Sequence, residues 1–305
     1  MKIYVTGHRG MVGSAVVRRL GADTFVPAFM EHDRGPDLRM PSFRRIFGLE
    51  LHTVDAIVHA AGLVGGIGAN WARPVEFLAD NVMVGVNVLA AAHEAGVKRL
   101  VNLGSSCIYP RDCPQPMRPE HLLTGPLEPT NEGYALAKIA VLRLAQYYRR
   151  QYGRSYVSVM PTNLYGTGDR YDEQTSHALP ALIMKFERAR REGGPVRLWG
   201  TGSVLREFLH VEDLADAVAL VLERYDEDAP INVGSGEEIT IAALAEMVAD
   251  ATGYEGAIEW DDSMPDGTPR KLLDSSVIRD LGWAPKIDLR TGIRRTVAEY
   301  RERNP

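Results

Sequence analysis

Cysteine is scarce in this chain. Cys107 and Cys113 are the only two among 305 residues, too few for a disulfide framework, so a reducing cytoplasm is the default compartment. Basic residues do not dominate either. Lysine plus arginine number 35 against 40 for aspartate plus glutamate, and the net charge of −5 argues against bulk electrostatic binding to nucleic acid or to an anionic membrane. No uninterrupted apolar run approaches the roughly 18 residues of a membrane span. The opening MKIYVTGHRG enters a strand pattern without the apolar segment of a cleavable signal. The eight histidines are scattered without ligand spacing, so no metal site is expected. Internal repeats and low-complexity tracts are missing too. What remains is the ordinary globular balance, 45% hydrophobic and 25% charged, expected of a soluble intracellular protein.

The first half alternates short β-branched runs with longer amphipathic stretches. Residues 2–6, 24–30, 55–59, 99–103 and 156–160 read as strands, and 11–20, 74–95 and 132–150 as helices. Such alternation predicts right-handed crossovers and a parallel sheet covered on both faces. After Pro161 the rhythm loosens. Residues 161–176 read as a long functional loop, followed by helices near 179–192 and 212–224 and strands near 196–199 and 231–234. Thr240 reads as the cap of a helix running to Asp250. The expected fold class is α/β: a Rossmann-like doubly wound parallel sheet over residues 1–165, with a smaller C-terminal α/β substrate domain over 166–305. Segments near 205–235 are expected to pack back onto the first.

Gly7-His8-Arg9-Gly10-Met11-Val12-Gly13 lies between the first strand and the first helix. Glycines there let the backbone turn sharply and approach a pyrophosphate resting on the helix N-terminus. An acid about 20 residues onward would bond a ribose diol and favour NAD, whereas arginine would suit the extra phosphate of NADP. Glu31, Asp33 and Arg34 give conflicting signals, as does Arg9; a solvated charged turn is the plain alternative.

Tyr134 and Lys138 are four apart, hence on one helix face. A phenol is normally too weak an acid to act near neutrality, with a reference pKa of about 10, and a neighbouring ammonium is expected to lower it. Tyr134 then exchanges a proton with an oxygen undergoing hydride transfer, and Ser105, at the end of the fourth strand, orients the same oxygen.

The segments GHRGMVGSA, NLGSSCIYP, YALAK, PTNLYG, WGTGSVLREFLHVEDLA and PDGTPRKLLD resemble the extended short-chain dehydrogenase/reductases, and among them the family of GDP-L-fucose synthases. The resemblance runs from residue 1 to about 290. It implies an NADPH-dependent enzyme that epimerises C3 and C5 of GDP-4-keto-6-deoxy-D-mannose and reduces C4. It implies catalytic roles for Ser105, Cys107, Tyr134, Lys138 and His177, with Cys107 as base and His177 as acid. It places the cofactor against Gly7 to Gly13, Glu31, Arg34, Leu103, Gly104, Ser105, Ser106, Tyr134, Lys138, Pro161, Thr162, Asn163, Leu164 and His177. For the GDP-sugar it implies Asn163, Lys185, Trp199, Arg206 and Asp266, with Lys271 nearby. A homodimer through the helices near 75–95 and 132–150 is also implied.

The chemistry suits those residue types. Inverting a carbon α to a ketone needs a base on one face and a proton donor on the other, and a thiol and an imidazole both titrate within reach of neutrality. Related dehydratases place an Asp–Glu pair where Ser106 and Cys107 stand here, so dehydration is not expected. Two departures matter: Lys185 replaces the usual arginine and loses its bidentate fork, and Glu31 with Asp33 leaves NAD open beside NADP. The rival readings are a reductase or epimerase of another nucleotide sugar, such as a GDP-heptose, and a catalytically silent NAD(P)-binding protein on the same fold.

Overall fold

Ile3 and Val5 pack on one face of a sheet and Tyr4 on the other, the period-2 alternation of a strand buried on both sides. That strand is β1 (Ile3–Thr6) in a computed structural model that describes residues 1–21, 24–25, 37–40, 51–172, 175–264 and 266–304. With β2 (Thr24–Phe25), β3 (Ala56–His59), β4 (Arg99–Leu103), β5 (Ser155–Pro161) and β9 (Ile231–Val233) it forms a parallel sheet in the order β2-β1-β3-β4-β5-β9. β2 and β3 flank β1 on opposite sides, so the end of β1 opens at the point where strand order reverses, the usual ligand crevice of such sheets.

Helix α1 (Met11–Leu20) covers one face together with α6 (Val211–Arg224). The other face is covered by α3 (Pro74–Glu94) and α4 (Glu132–Tyr152), which follow the short α2 (Ile67–Ala72). At Gly85 the two long helices touch: a Cβ there would lie 2.2 Å from a Val141 methyl. Helix α3 also departs from the sequence expectation about apolar runs. It holds an 18-residue window of mean hydropathy 1.5, long and apolar enough to cross a membrane, and 56% of that window is buried inside the protein.

The second half forms its own layer. β6 (Asn163–Tyr165) pairs with β8 (Leu205–His210), which also carries β10 (Glu238–Thr240) and β12 (Arg270–Lys271); β7 (Val196–Trp199) pairs with β11 (Ile258–Asp261). Helices α5 (Ala178–Glu192), α7 (Ile241–Thr252) and α9 (Leu289–Arg303) pack there around Phe186, Leu244 and Val297, and the short α8 (Ser276–Asp280) lies against β9. Thr240 does cap α7, its hydroxyl accepting from the Ala243 N–H at 3.1 Å. The stretch read as one loop from 161 to 176 is partly strand: β5 runs through Pro161, and β6 satisfies its backbone on β8. The segment 211–233 returns to the first half, supplying both α6 and the last strand of the large sheet.

Candidate active site

Gly7 adopts φ +71°. A Cβ there would lie 2.8 Å from the Ala60–Ala61 backbone, and one on Gly13 would lie 2.1 Å from the Gly7 carbonyl oxygen. Only glycine permits this approach of turn, helix and neighbouring strand. Gly10 caps α1 through its backbone alone, and the first turn of the helix, at Met11 and Val12, carries no acidic side chain. This cradle fits a dinucleotide: an open helix N-terminus at the switch point, with no side chain in the pyrophosphate's place. His8 and the exposed Arg9 border it, and burial first, then the Arg9 charge, holds the His8 imidazole below its ordinary pKa. Glu31, Asp33 and Arg34 lie outside the described residues.

Beyond the crevice, β4 ends at Leu103 and the chain runs on through Gly104 and Ser105 into a short turn that begins at Ser106. A Cβ on Gly104 would collide with the Met160 side chain, so glycine lets β4 and β5 close up there. Ser105 caps the short turn that carries Cys107, accepting from the Cys107 N–H at 3.2 Å, and its side chain favours the ionised form of Tyr134. Tyr134 opens the first turn of α4, its ring edge-on to Phe77 at 6.3 Å between centroids. Lys138, one turn on, is buried; its ammonium donates to the Leu103 carbonyl at 2.9 Å and lies 5.6 Å from the Tyr134 ring centroid.

Burial pushes the Tyr134 pKa up, with Cys107 adding to the rise and Ser105 opposing it. Burial also lowers Lys138 to about 8, because desolvation disfavours whichever form is charged. Tyr134 therefore holds its proton throughout the neutral range.

Cys107 lies next to this set. Its sulfur accepts from the Asn131 side-chain amide at 3.3 Å and from the Lys271 ammonium at 3.8 Å. Asn131 precedes α4 where a helix cap is expected, yet its side chain makes no cap bond and turns to the sulfur; sequence reasoning read past it for that reason. Its carbonyl oxygen is buried without a partner. His177 ends the loop before α5 with its side chain free of any capping bond. His177 is exposed, and desolvation of its imidazole, followed by the charge of Lys271, lowers its pKa. A cavity of about 230 Å³ is lined by Asn70, Trp71, Phe77, Asn131, Gly133 and Tyr134.

On the side of the second layer, Arg206 donates to the Leu205 carbonyl at 2.8 Å and to the Asp266 carbonyl at 3.3 Å. Burial lowers its pKa, while Asp266, Glu128 and Cys107 act to raise it. Asp266 accepts from the Thr201 N–H and hydroxyl at 2.8 and 2.9 Å. Lys185 donates to the Arg197 carbonyl at 2.9 Å and stands 5.9 Å from the ring centroid of Trp199, whose side chain is 58% exposed. Asn163 and Thr162 are committed to structure, both donating to the Glu207 carbonyl, and Pro161 and Leu164 lie on the paired strands beside them.

Residues 3–234 match the model of the NAD dependent epimerase/dehydratase family. The chain is 48% identical over 301 residues to GDP-L-fucose synthase 1 of Arabidopsis thaliana, covering 98% of this chain and 93% of that one. It is 44% identical to GDP-L-fucose synthase of Escherichia coli K12, covering 99% and 97%. Among solved structures, a GDP-mannoheptose C4 reductase from Campylobacter jejuni with NADP bound superposes with a TM-score of 0.87 at 31% identity, covering 98% of both chains. With a glycine cradle at the strand-order reversal and these full-length similarities, the chain belongs to the NAD dependent epimerase/dehydratase family, in the branch that holds the GDP-L-fucose synthases.

Proposed function

We propose that this protein converts GDP-4-keto-6-deoxy-D-mannose to GDP-L-fucose by epimerisation at C3 and C5 followed by NADPH-dependent reduction at C4. The observation that carries the reading is the Lys271 ammonium lying 3.8 Å from the Cys107 sulfur, on the turn that Ser105 caps at the end of β4. When bound in the glycine cradle, NADPH supplies the hydride for C4. Tyr134 gives its proton to the C4 oxygen, Ser105 orients that oxygen, and Lys138 anchors the far side of the crevice. For each inversion Cys107 removes the proton α to the ketone, and His177 returns one to the opposite face. Arg206 meets the diphosphate, and Trp199 with Lys185 and Asp266 frames the remainder of the GDP-sugar. The two free cysteines fit a cytoplasmic setting. A homodimer through α3 and α4 fits the exposed Met83, Leu136 and Tyr147.

Incubation with the keto-sugar and NADPH in heavy water tests this. NMR should show solvent deuterium at C3 and C5 of the product and cofactor hydrogen at C4; product formed without solvent deuterium would leave only a reductase. The full-length similarity to the heptose C4 reductase favours one second reading, reduction of a GDP-linked keto-heptose. NADPH oxidation across a panel of GDP-keto-sugars separates the two.

A further inference from the structure

We propose that Gly65, Gly66 and Asn70 form a seat for the end of the 166–177 loop, and that this seat places the His177 imidazole for proton return. The inference deepens the reading of His177 as the acid and rests on it. Gly66 caps α2 with φ −66° and ψ −179°, extended backbone that any residue adopts, so its conformation does not call for glycine. Space does. A Cβ there would lie 2.4 Å from the Ser176 carbonyl oxygen, and that carbonyl belongs to the peptide joining Ser176 to His177. The Gly66 N–H donates to the Thr175 carbonyl at 2.9 Å. A Cβ on Gly65 would meet Ala69 at 3.0 Å, Phe77 at 3.1 Å and the Thr175 carbonyl at 3.4 Å. The two residues ahead of His177 rest on bare backbone.

Both sides of this contact are tied down. Beneath the glycines, the buried Asn70 donates through Nδ2 to the Gly65 and Gly66 carbonyls at 2.8 and 3.0 Å. On the loop, the Asp172 carboxylate accepts from the Thr175 N–H and hydroxyl at 2.9 and 2.8 Å. The Ser176 hydroxyl donates to the Arg170 carbonyl at 2.7 Å and accepts from the Asp172 N–H at 2.7 Å. His177 then opens α5 with an imidazole that makes no cap bond, so the backbone at 175 and 176 sets where the ring stands. The three atoms nearest a Cβ on Gly66 all belong to Thr175 and Ser176, so a larger residue strains this loop end and spares Ser105, Tyr134 and Lys138. Gly66→Ala has to drive the Ser176 carbonyl back by about 1 Å to reach ordinary contact, a misplacement that can cost about 10²-fold in rate. Gly65, Gly66, Asn70 and Asp172 are positioning residues in this scheme, acting through the loop backbone.

The test separates inversion from reduction in Gly66→Ala. In heavy water with GDP-4-keto-6-deoxy-D-mannose, deuterium entry at C3 and C5 should fall by about 10- to 100-fold. NADPH oxidation on GDP-4-keto-6-deoxy-L-galactose, already inverted at both carbons, should stay within about twofold. Asp172→Ala removes both bonds to Thr175 from the loop side; it should show the same split, and it serves alone if Gly66→Ala fails to fold. A folded variant in which the two rates fall together, or neither moves, would overturn the seat. Amide hydrogen exchange reads the seat without any sugar. Residues 66, 175 and 176 should be protected in the unsubstituted chain and lose about tenfold or more of that protection in either variant, with β4 and β5 unchanged. An unsubstituted chain that takes up no solvent deuterium sinks the epimerase reading instead; exchange then decides the seat by itself, and equal protection with and without the substitution overturns it.

Discussion

In the proposed reaction Tyr134 and Cys107 divide the chemistry, and their substitutions should divide the kinetics. Tyr134→Phe removes the proposed proton donor, and reduction should fall by about 10²–10⁴-fold while solvent deuterium still enters the sugar. Cys107→Ser should show the reverse, with deuterium entry at C3 and C5 lost and NADPH oxidation retained on a keto-sugar that needs no inversion. The Ser–Tyr–Lys set was legible in the sequence because helical spacing alone brings positions 134 and 138 together. The protonation state was not, because burial sets it: Lys138 falls to about 8 through desolvation that no local pattern reports. Asn131 was hidden by its position, since an asparagine ahead of a helix is ordinarily its cap.

Among the elements, the loop from Gly166 to His177 is held at its start by a buried carboxylate. Asp169 accepts from the Arg170 N–H at 2.8 Å, and its other oxygen is buried without a partner near Glu299 of α9. Burial raises its pKa to about 7. A folded pKa above the unfolded one binds more protons in the native state, so this contribution to stability is full below the unfolded carboxyl range and is lost as pH rises through about 7. Thermal unfolding should show the midpoint of the unsubstituted chain dropping between about pH 5 and pH 8 more steeply than that of Asp169→Asn. Apart from the short α2, the helices and central strands of the first half were readable from periodicity. β8, β10, β11, β12, α8 and α9 were not, because their short mixed-polarity segments find partners only across long sequence distances; β12, for example, pairs with β8 from 65 residues away at Arg270 and Leu205.

For the molecule as a whole, Glu207 ties the two layers together. The side chain is fully buried, accepts from the Gly236 and Leu273 N–H groups at 2.7 and 3.1 Å, and belongs to the strand that bears Arg206. Its own carbonyl takes the Thr162 and Asn163 donors. Glu207→Ala strands those two N–H groups in the interior and should cost about 2–5 kcal/mol, seen as a lower urea midpoint with the m-value unchanged. The sequence marked Arg206 and passed over its neighbour, because a buried carboxylate serving backbone amides has no motif of its own.

The ammonium beside the sulfur comes from a strand 164 positions further along the chain. A ribosome has therefore released the whole nucleotide-binding half before that charge can arrive. The surroundings of the sulfur are completed only at the end of synthesis, so a chain truncated ahead of that strand carries the glycine cradle without a finished site.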